Sequence, residues 1–139
     1  MIRAVLDPGV LIAGLISPDG APATLIRSWR EAEFDVVVCP HLVDELSRAL
    51  AYPKVMRYVS GSEATRLRVA LLRSAVVVED PRHVPTVCRD PADDYLFALA
   101  AEHAQLLLSG DRDVTEAERP PVRVLTPRGF LAILGGRSR

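Results

Sequence analysis

Cysteine is nearly absent. The 139 residues hold two, Cys39 and Cys88, with no CxxC spacing and no neighbouring ligand pair. That argues against a thiolate zinc site and leaves two buried thiols as the expectation, rather than a disulfide. Histidine is almost as scarce: three residues, without the HxxxH or HExxH spacing of a histidine zinc centre. No glycine-rich loop of the kind that cradles phosphates occurs. No apolar run approaches the length of a membrane span, and the N-terminus lacks the apolar region and small-residue cleavage site of a secretory signal. The expectation is a cytoplasmic protein. Aromatics make up 5% of the chain, and the one tryptophan, Trp29, sits on an apolar helix face that marks it as core. Lysine is reduced to Lys54 against 16 arginines.

What is present is an ordinary globular composition, 49% hydrophobic and 25% charged, in a length that suits one domain spanning 1–139. Net charge is −1, but the charges are segregated. Between Arg48 and Arg73 six basic residues face one acid, Glu63; between Glu79 and Glu118 ten acids face three arginines. A basic segment to hold phosphates and an acidic one to hold metal suit a nuclease, with solvated helix faces as the plain alternative.

Residues 2–6 are mainly apolar and end in Asp7, the pattern of a fully buried strand in a parallel sheet. Ligands of open α/β sheets bind at the carboxyl ends of strands, so Asp7 is a candidate site residue, with a turn or helix-cap role as the alternative. Pro8-Gly9 reads as a turn before a further apolar run at 10–15. A turn cluster at 17–20 leads into a helix over 21–32, with Leu25, Ile26, Trp29 and Ala32 on one face. Residues 34–39 make a second apolar strand. A helix over 41–51 turns Leu42, Leu46 and Leu50 inward and carries Glu45 beside that stripe. A short helix fits 53–59, and Ser60 with Glu63 marks the start of a basic helix to Arg73 with Leu67, Leu71 and Leu72 inward. Strands follow at 75–78, 106–108 and 122–125, and a closing helix runs from Thr126-Pro127 to about 134, stopped by Gly135-Gly136. Continuously apolar strands alternating with helices predict an α/β fold, a three-layer α/β/α sandwich with a central, mostly parallel sheet.

The stretch 90–113 gathers most of the acids. Asp90 fits an N-cap, Pro91 the first helical position and Asp93 the third, so Asp90 and Asp93 read as helix-start residues. Asp94 stands directly before 95–101, apolar on every face, and needs a cavity or cleft at the helix start if it is to stay ionised. Asp111 and Asp113 follow the strand at 106–108. A parallel sheet would thus gather Asp7, Glu45, Asp94, Asp111 and Asp113. Crowded carboxylates repel one another, and an all-oxygen set of this kind suits Mg²⁺ or Mn²⁺. Such metals polarise a phosphate and activate a water for in-line attack.

Five motifs in this order carry a family resemblance: Asp7-Pro8-Gly9-Val10-Leu11, Pro40-His41-Leu42-Val43-Asp44-Glu45-Leu46, Arg89-Asp90-Pro91-Ala92-Asp93-Asp94, Ser109-Gly110-Asp111-Arg112-Asp113, and Leu125-Thr126-Pro127-Arg128-Gly129-Phe130-Leu131. Over nearly its whole length the chain resembles the PIN-domain family, and within it the bacterial VapC-type toxins. The resemblance implies an Mg²⁺- or Mn²⁺-dependent ribonuclease. Its acidic set would be Asp7, Glu45, Asp94 and Asp111, with Asp113 auxiliary and Asp90 and Asp93 next in line. It also implies RNA as substrate, a homodimer and a co-encoded antitoxin partner. Arg48, Lys54 and Arg57 of the basic segment, and Arg112 beside the acids, are the expected phosphate contacts.

One motif departs from the family. The first usually reads Asp-Thr-Asn or a Ser-containing equivalent, where this chain has Pro8-Gly9. The loss of those hydrogen-bonding side chains would weaken metal binding or activity by roughly 10–100-fold, and supports a competing reading as a non-catalytic PIN-like module for RNA or protein. A phosphotransfer reading with Asp7 as nucleophile fits poorly. A haloacid-dehalogenase type wants an acid where Gly9 stands, and a receiver wants a lysine after a late strand, whereas Lys54 is the only lysine.

Overall fold

The computed structural model describes residues 1–137. Five strands form one sheet: β1 (Arg3–Leu6), β2 (Asp35–Val38), β3 (Val76–Val77), β4 (Leu106–Leu108) and β5 (Arg123–Leu125). Their order is β3-β2-β1-β4-β5, and every pairing is parallel. The three inner strands are short and, beyond Arg3 and Asp35 at the starts of β1 and β2, buried, which explains the apolar run in each. The α/β sandwich expected from the sequence is the observed fold.

Among the described residues, eight α-helices lie between and after the strands: α1 (Pro8–Ile16), α2 (Ala21–Arg30), α3 (Pro40–Leu50), α4 (Pro53–Met56), α5 (Gly61–Ser74), α6 (Asp94–His103), α7 (Arg112–Thr115) and α8 (Pro127–Arg137). The chain runs from β1 outward to β3, then returns to the far side of β1 for β4 and β5. Right-handed crossovers in opposite directions put their helices on opposite faces of a sheet. Accordingly α1, α2, α3 and α5 pack with one another, while α6 lies against β1, β4 and β2. The chain reverses direction across the sheet between β1 and β4, and a crevice opens at the carboxyl ends of such neighbours. No single helix among the described residues is long and apolar enough to cross a membrane.

Pro8-Gly9, read as a turn, is instead the first turn of α1. Proline is at home there because its missing amide has no partner in a helix's first turn, and Asp7 caps the helix by accepting from the Gly9 amide at 2.9 Å. The chain then bends by 102° from α1 into α2. Gly14 permits that close crossing: a Cβ there would lie 3.2 Å from the Pro22 backbone and collide with the Ile26 side chain.

Other boundaries differ in instructive ways. Ala32 lies outside α2, exposed and at φ 59°, in the reversal toward β2. Leu72 points to solvent while Leu67 and Leu71 are buried. The one-turn α7 was not expected; Asp111 starts it by accepting the Asp113 amide. Gly135 and Gly136 do not stop the closing helix, which continues to Arg137. The Ser60–Glu63 capping box at the start of α5 is present with both of its hydrogen bonds. Trp29 is core, Phe34 and Phe130 meet edge to face at 5.0 Å, and Cys39 and Cys88 are free and buried.

Candidate metal-binding acidic site

Asp7 arrives at the crevice because β1 ends there. Its backbone amide donates to Leu108 of β4 at 3.0 Å, which fixes the carboxylate beside the neighbouring strand. Oδ1 takes the Gly9 amide, and Oδ2 accepts the Ser109 hydroxyl at 2.8 Å. Ser109 is fully buried at the end of β4, and its Oγ also accepts the Asp111 amide at 3.0 Å. One serine thus holds both strand-end acids in register. The hydroxyl that Pro8 cannot offer to Asp7 comes instead from the adjacent strand.

Glu45 reaches the same end of the sheet from the middle of α3, half-buried beside Leu46. Its Oε2 accepts the phenol of Tyr95 from α6. Tyr95 is buried and meets the His41 ring edge-on, with centroids 4.3 Å apart. Burial, and then the hydrogen bond to the Glu45 carboxylate, push the Tyr95 phenol far above its ordinary range, so it remains a donor.

The acids before α6 divide their roles. Asp90 caps a single 3-10 turn, Pro91–Asp93, by accepting the Ala92 amide at 3.0 Å. Asp93 is half-buried and near enough to the strand-end acids for their charges to act on it. Its carboxyl is pushed up to about 7 by burial first, then by the charges of Asp7, Asp90, Asp111 and Glu45. Asp94, expected in the acidic set, has one carboxylate oxygen committed to the loop before it. It is 4% exposed, and its Oδ1 accepts the amides of Val87 at 3.1 Å and Cys88 at 2.8 Å, with the Cys88 thiol at 3.3 Å. Buried amides need an acceptor, and Asp94 supplies it by clamping the incoming loop onto α6.

The remaining expected residues are scattered. Asp113 lines a separate cleft with Val87, Cys88, Arg89 and Glu116. The Arg112 guanidinium pairs with Glu116 at 3.1 Å, both highly exposed. Arg48, Lys54 and Arg57 are exposed on and around α3 and α4. Sequence reasoning missed Tyr95, Ser109 and Arg128 as site residues. The first two lie within or beside the quoted motifs, but nothing local marks them as partners of an acid. Arg128, in the last motif, borders a cleft of about 370 Å³ together with Asp7 and Asp111.

Among the described residues, no three His, Cys, Asp or Glu side chains converge tightly enough to enclose a metal ion. The oxygens are turned toward Gly9, Ser109, Asp113 and Tyr95 instead. The donor set still fits a hard divalent cation in kind: it is all oxygen, with carboxylates close enough to repel and to hold Asp93 partly protonated near neutrality.

A parallel α/β sheet with repelling acids at its β1–β4 crevice defines a class of acid-site domain. A PIN domain profile matches residues 3–113, and the chain belongs to the PIN-domain family. PIN domains are generally nucleases that use divalent metal ions. The uncharacterized protein MJ1680 of Methanocaldococcus jannaschii is 29% identical over 114 residues, covering 81% of this chain and 73% of that one. Among solved structures, FitAcB from Neisseria gonorrhoeae aligns with TM-score 0.50 and 17% identity, covering 90% of this chain and 98% of that one. The T. brucei RRP44 PIN domain aligns with TM-score 0.44 and 15% identity, covering 99% and 84%.

Proposed function

We propose that this protein is a metal-dependent endoribonuclease of the VapC type, with Asp7, Glu45, Asp93 and Asp111 as its acidic set. Asp93 takes the place that the sequence assigned to Asp94. The observation that carries the reading is geometric: Asp7 and Asp111 are held together through Ser109 at the carboxyl ends of β1 and β4, and the raised Asp93 carboxyl, on which the charges of Asp7, Asp90, Asp111 and Glu45 act, agrees with a crowding that a cation would relieve. When bound, Mg²⁺ or Mn²⁺ supplies Lewis-acid polarisation of the scissile phosphate and an activated water. The chain's own residues do the rest. Ser109 orients Asp7 and the turn that carries Asp111. Tyr95 fixes Glu45. Asp113 stands as auxiliary, and Arg48, Lys54, Arg57 and Arg112 are the proposed contacts to RNA phosphates.

The same reading includes a cytoplasmic location, a homodimer and an antitoxin partner. Free buried thiols at Cys39 and Cys88 support a reducing compartment. Large exposed apolar side chains around α4 and on α5, namely Tyr52, Met56, Tyr58, Val69 and Leu72, support a protein contact. The test is cleavage of a labelled RNA by purified protein with Mn²⁺ and with EDTA, expected only with the metal. A non-catalytic module is the second reading, favoured by the carboxylates' failure to enclose an ion as placed. Calorimetric titration separates the two: no uptake of Mn²⁺ at millimolar concentration supports the module.

A further inference from the structure

The cleft beside the acids is chemically unlike them. Its walls are Val10 and Ala13 of α1, Ala21 and Pro22 at the start of α2, and Pro127 at the start of α8. Asp7 and Asp111 form one rim, and the exposed Arg128 belongs to the same lining. The Thr126 hydroxyl, which also lines it, accepts the Gly129 amide at 3.1 Å and keeps its own proton to donate. Among the described residues, the cleft therefore presents apolar surface between the carboxylates of Asp7 and Asp111 and the cation of Arg128.

We infer that this cleft receives a single unstacked nucleobase of the RNA strand, next to the phosphodiester held at the acids, with Arg128 on an adjoining phosphate. The inference rests on the ribonuclease reading for the identity of the ligand. A volume of about 370 Å³ is at the small end of ligand sites and takes one base with its sugar, not a helix. An inorganic anion would gain nothing from the apolar walls. An acidic peptide would meet Asp7 and Asp111. A nucleotide offers an apolar ring face and a phosphate together, which matches walls and arginine in one ligand. Two consequences follow. A base enters only if it is unpaired and splayed out, so the substrate is single-stranded RNA. The lining residues include no aromatic ring, so a base is held by ring size and apolar contact, with the Thr126 hydroxyl left to donate to a base edge, and sequence preference is weak.

The experiment is fluorescence anisotropy with a labelled RNA hexamer and with a duplex of the same sequence, in Ca²⁺ buffer with electrophoresis to show the RNA intact. Ala13→Leu narrows the cleft without altering any acid, and a Mn²⁺ titration of that variant should match the parent. The hexamer should bind Ala13→Leu about tenfold more weakly or worse, and the parent should prefer hexamer over duplex. Arg128→Gln should also weaken the hexamer and lower the slope of log affinity against log salt by about 0.7. If Ala13→Leu loses its circular dichroism signature, Arg128→Gln decides alone. Equal hexamer binding by parent and a folded Ala13→Leu overturns the inference, as does a parent that prefers duplex; a parent that still cleaves RNA then keeps the ribonuclease reading. Weakened binding by the variants of a protein that takes up no Mn²⁺ and cleaves no RNA does the reverse.

Discussion

Replacing Asp93 by asparagine should stabilise the metal-free protein. Burial and the charges of Asp7, Asp90, Asp111 and Glu45 raise this carboxyl from its ordinary 3.8 to about 7. At about 1.4 kcal/mol for each pH unit, ionising it costs folding roughly 4 kcal/mol before screening. Solvent at the half-open crevice reduces that to about 2 kcal/mol. The folded state holds the proton more tightly than the unfolded chain, so stability falls as pH rises from 3.8 to about 7 and the cost is complete above that. Asp93→Asn removes the charge and keeps the shape. For a chain of this size the gain is about 7 °C in Tm near pH 8 and less than half of that near pH 5. Thermal unfolding by circular dichroism in EDTA at both pH values measures it. No gain near pH 8, or the same gain at both, refutes the claim that these acids share one field.

The neighbouring residue should behave in the opposite way. Asp94→Ala leaves the Val87 and Cys88 amides without their acceptor, and should cost about 2–4 kcal/mol, read as a fall in Tm under the same conditions. Tyr95→Phe should keep the fold but release Glu45, lowering Mn²⁺ affinity about 10-fold by calorimetry. Burial pushes Cys39 up to about 11 and Cys88 up to about 12, with the Asp80 carboxylate adding to the first and that of Asp94 to the second. A thiol reagent near pH 8 should therefore label neither in the native protein and both after unfolding, as counted by mass spectrometry.

The fold was legible because its signals are local. Apolar runs at β1, β2 and β4 have no polar face to hide, and that alone specifies strands buried on both sides. The acids at strand ends were legible for the same reason: Asp7 and Asp111 each directly follow or closely trail such a run. The choice between Asp93 and Asp94 was not. Adjacent residues at a helix start point about 100° apart, and Asp94 is drawn to a loop that needs an acceptor for its Val87 and Cys88 amides, a partner that the local pattern does not announce. Ser109 and Tyr95 escaped notice because their partners, Asp7 and Glu45, are distant in sequence. Pro8-Gly9 misled in a different way. The pair is a turn signal in isolation and a helix start when an aspartate caps it.

Two features of the crevice bear on activity in opposite directions. Ser109 supplies a hydroxyl to Asp7 despite Pro8, which restores support that the first motif lacks. The carboxylate oxygens nonetheless face their hydrogen-bond partners more than one another. Uptake of a cation would have to compete with those bonds, so moderate metal affinity is the expected outcome.

The most direct test of the account is one cleavage assay with three samples: parent, Asp93→Asn and parent with EDTA, each incubated with a labelled single-stranded RNA and Mn²⁺. The account predicts cleavage by the parent alone, with Asp93→Asn retaining its fold and losing at least about 100-fold in rate. Cleavage by Asp93→Asn at the parent's rate, or no Mn²⁺-dependent cleavage by the parent, would contradict it.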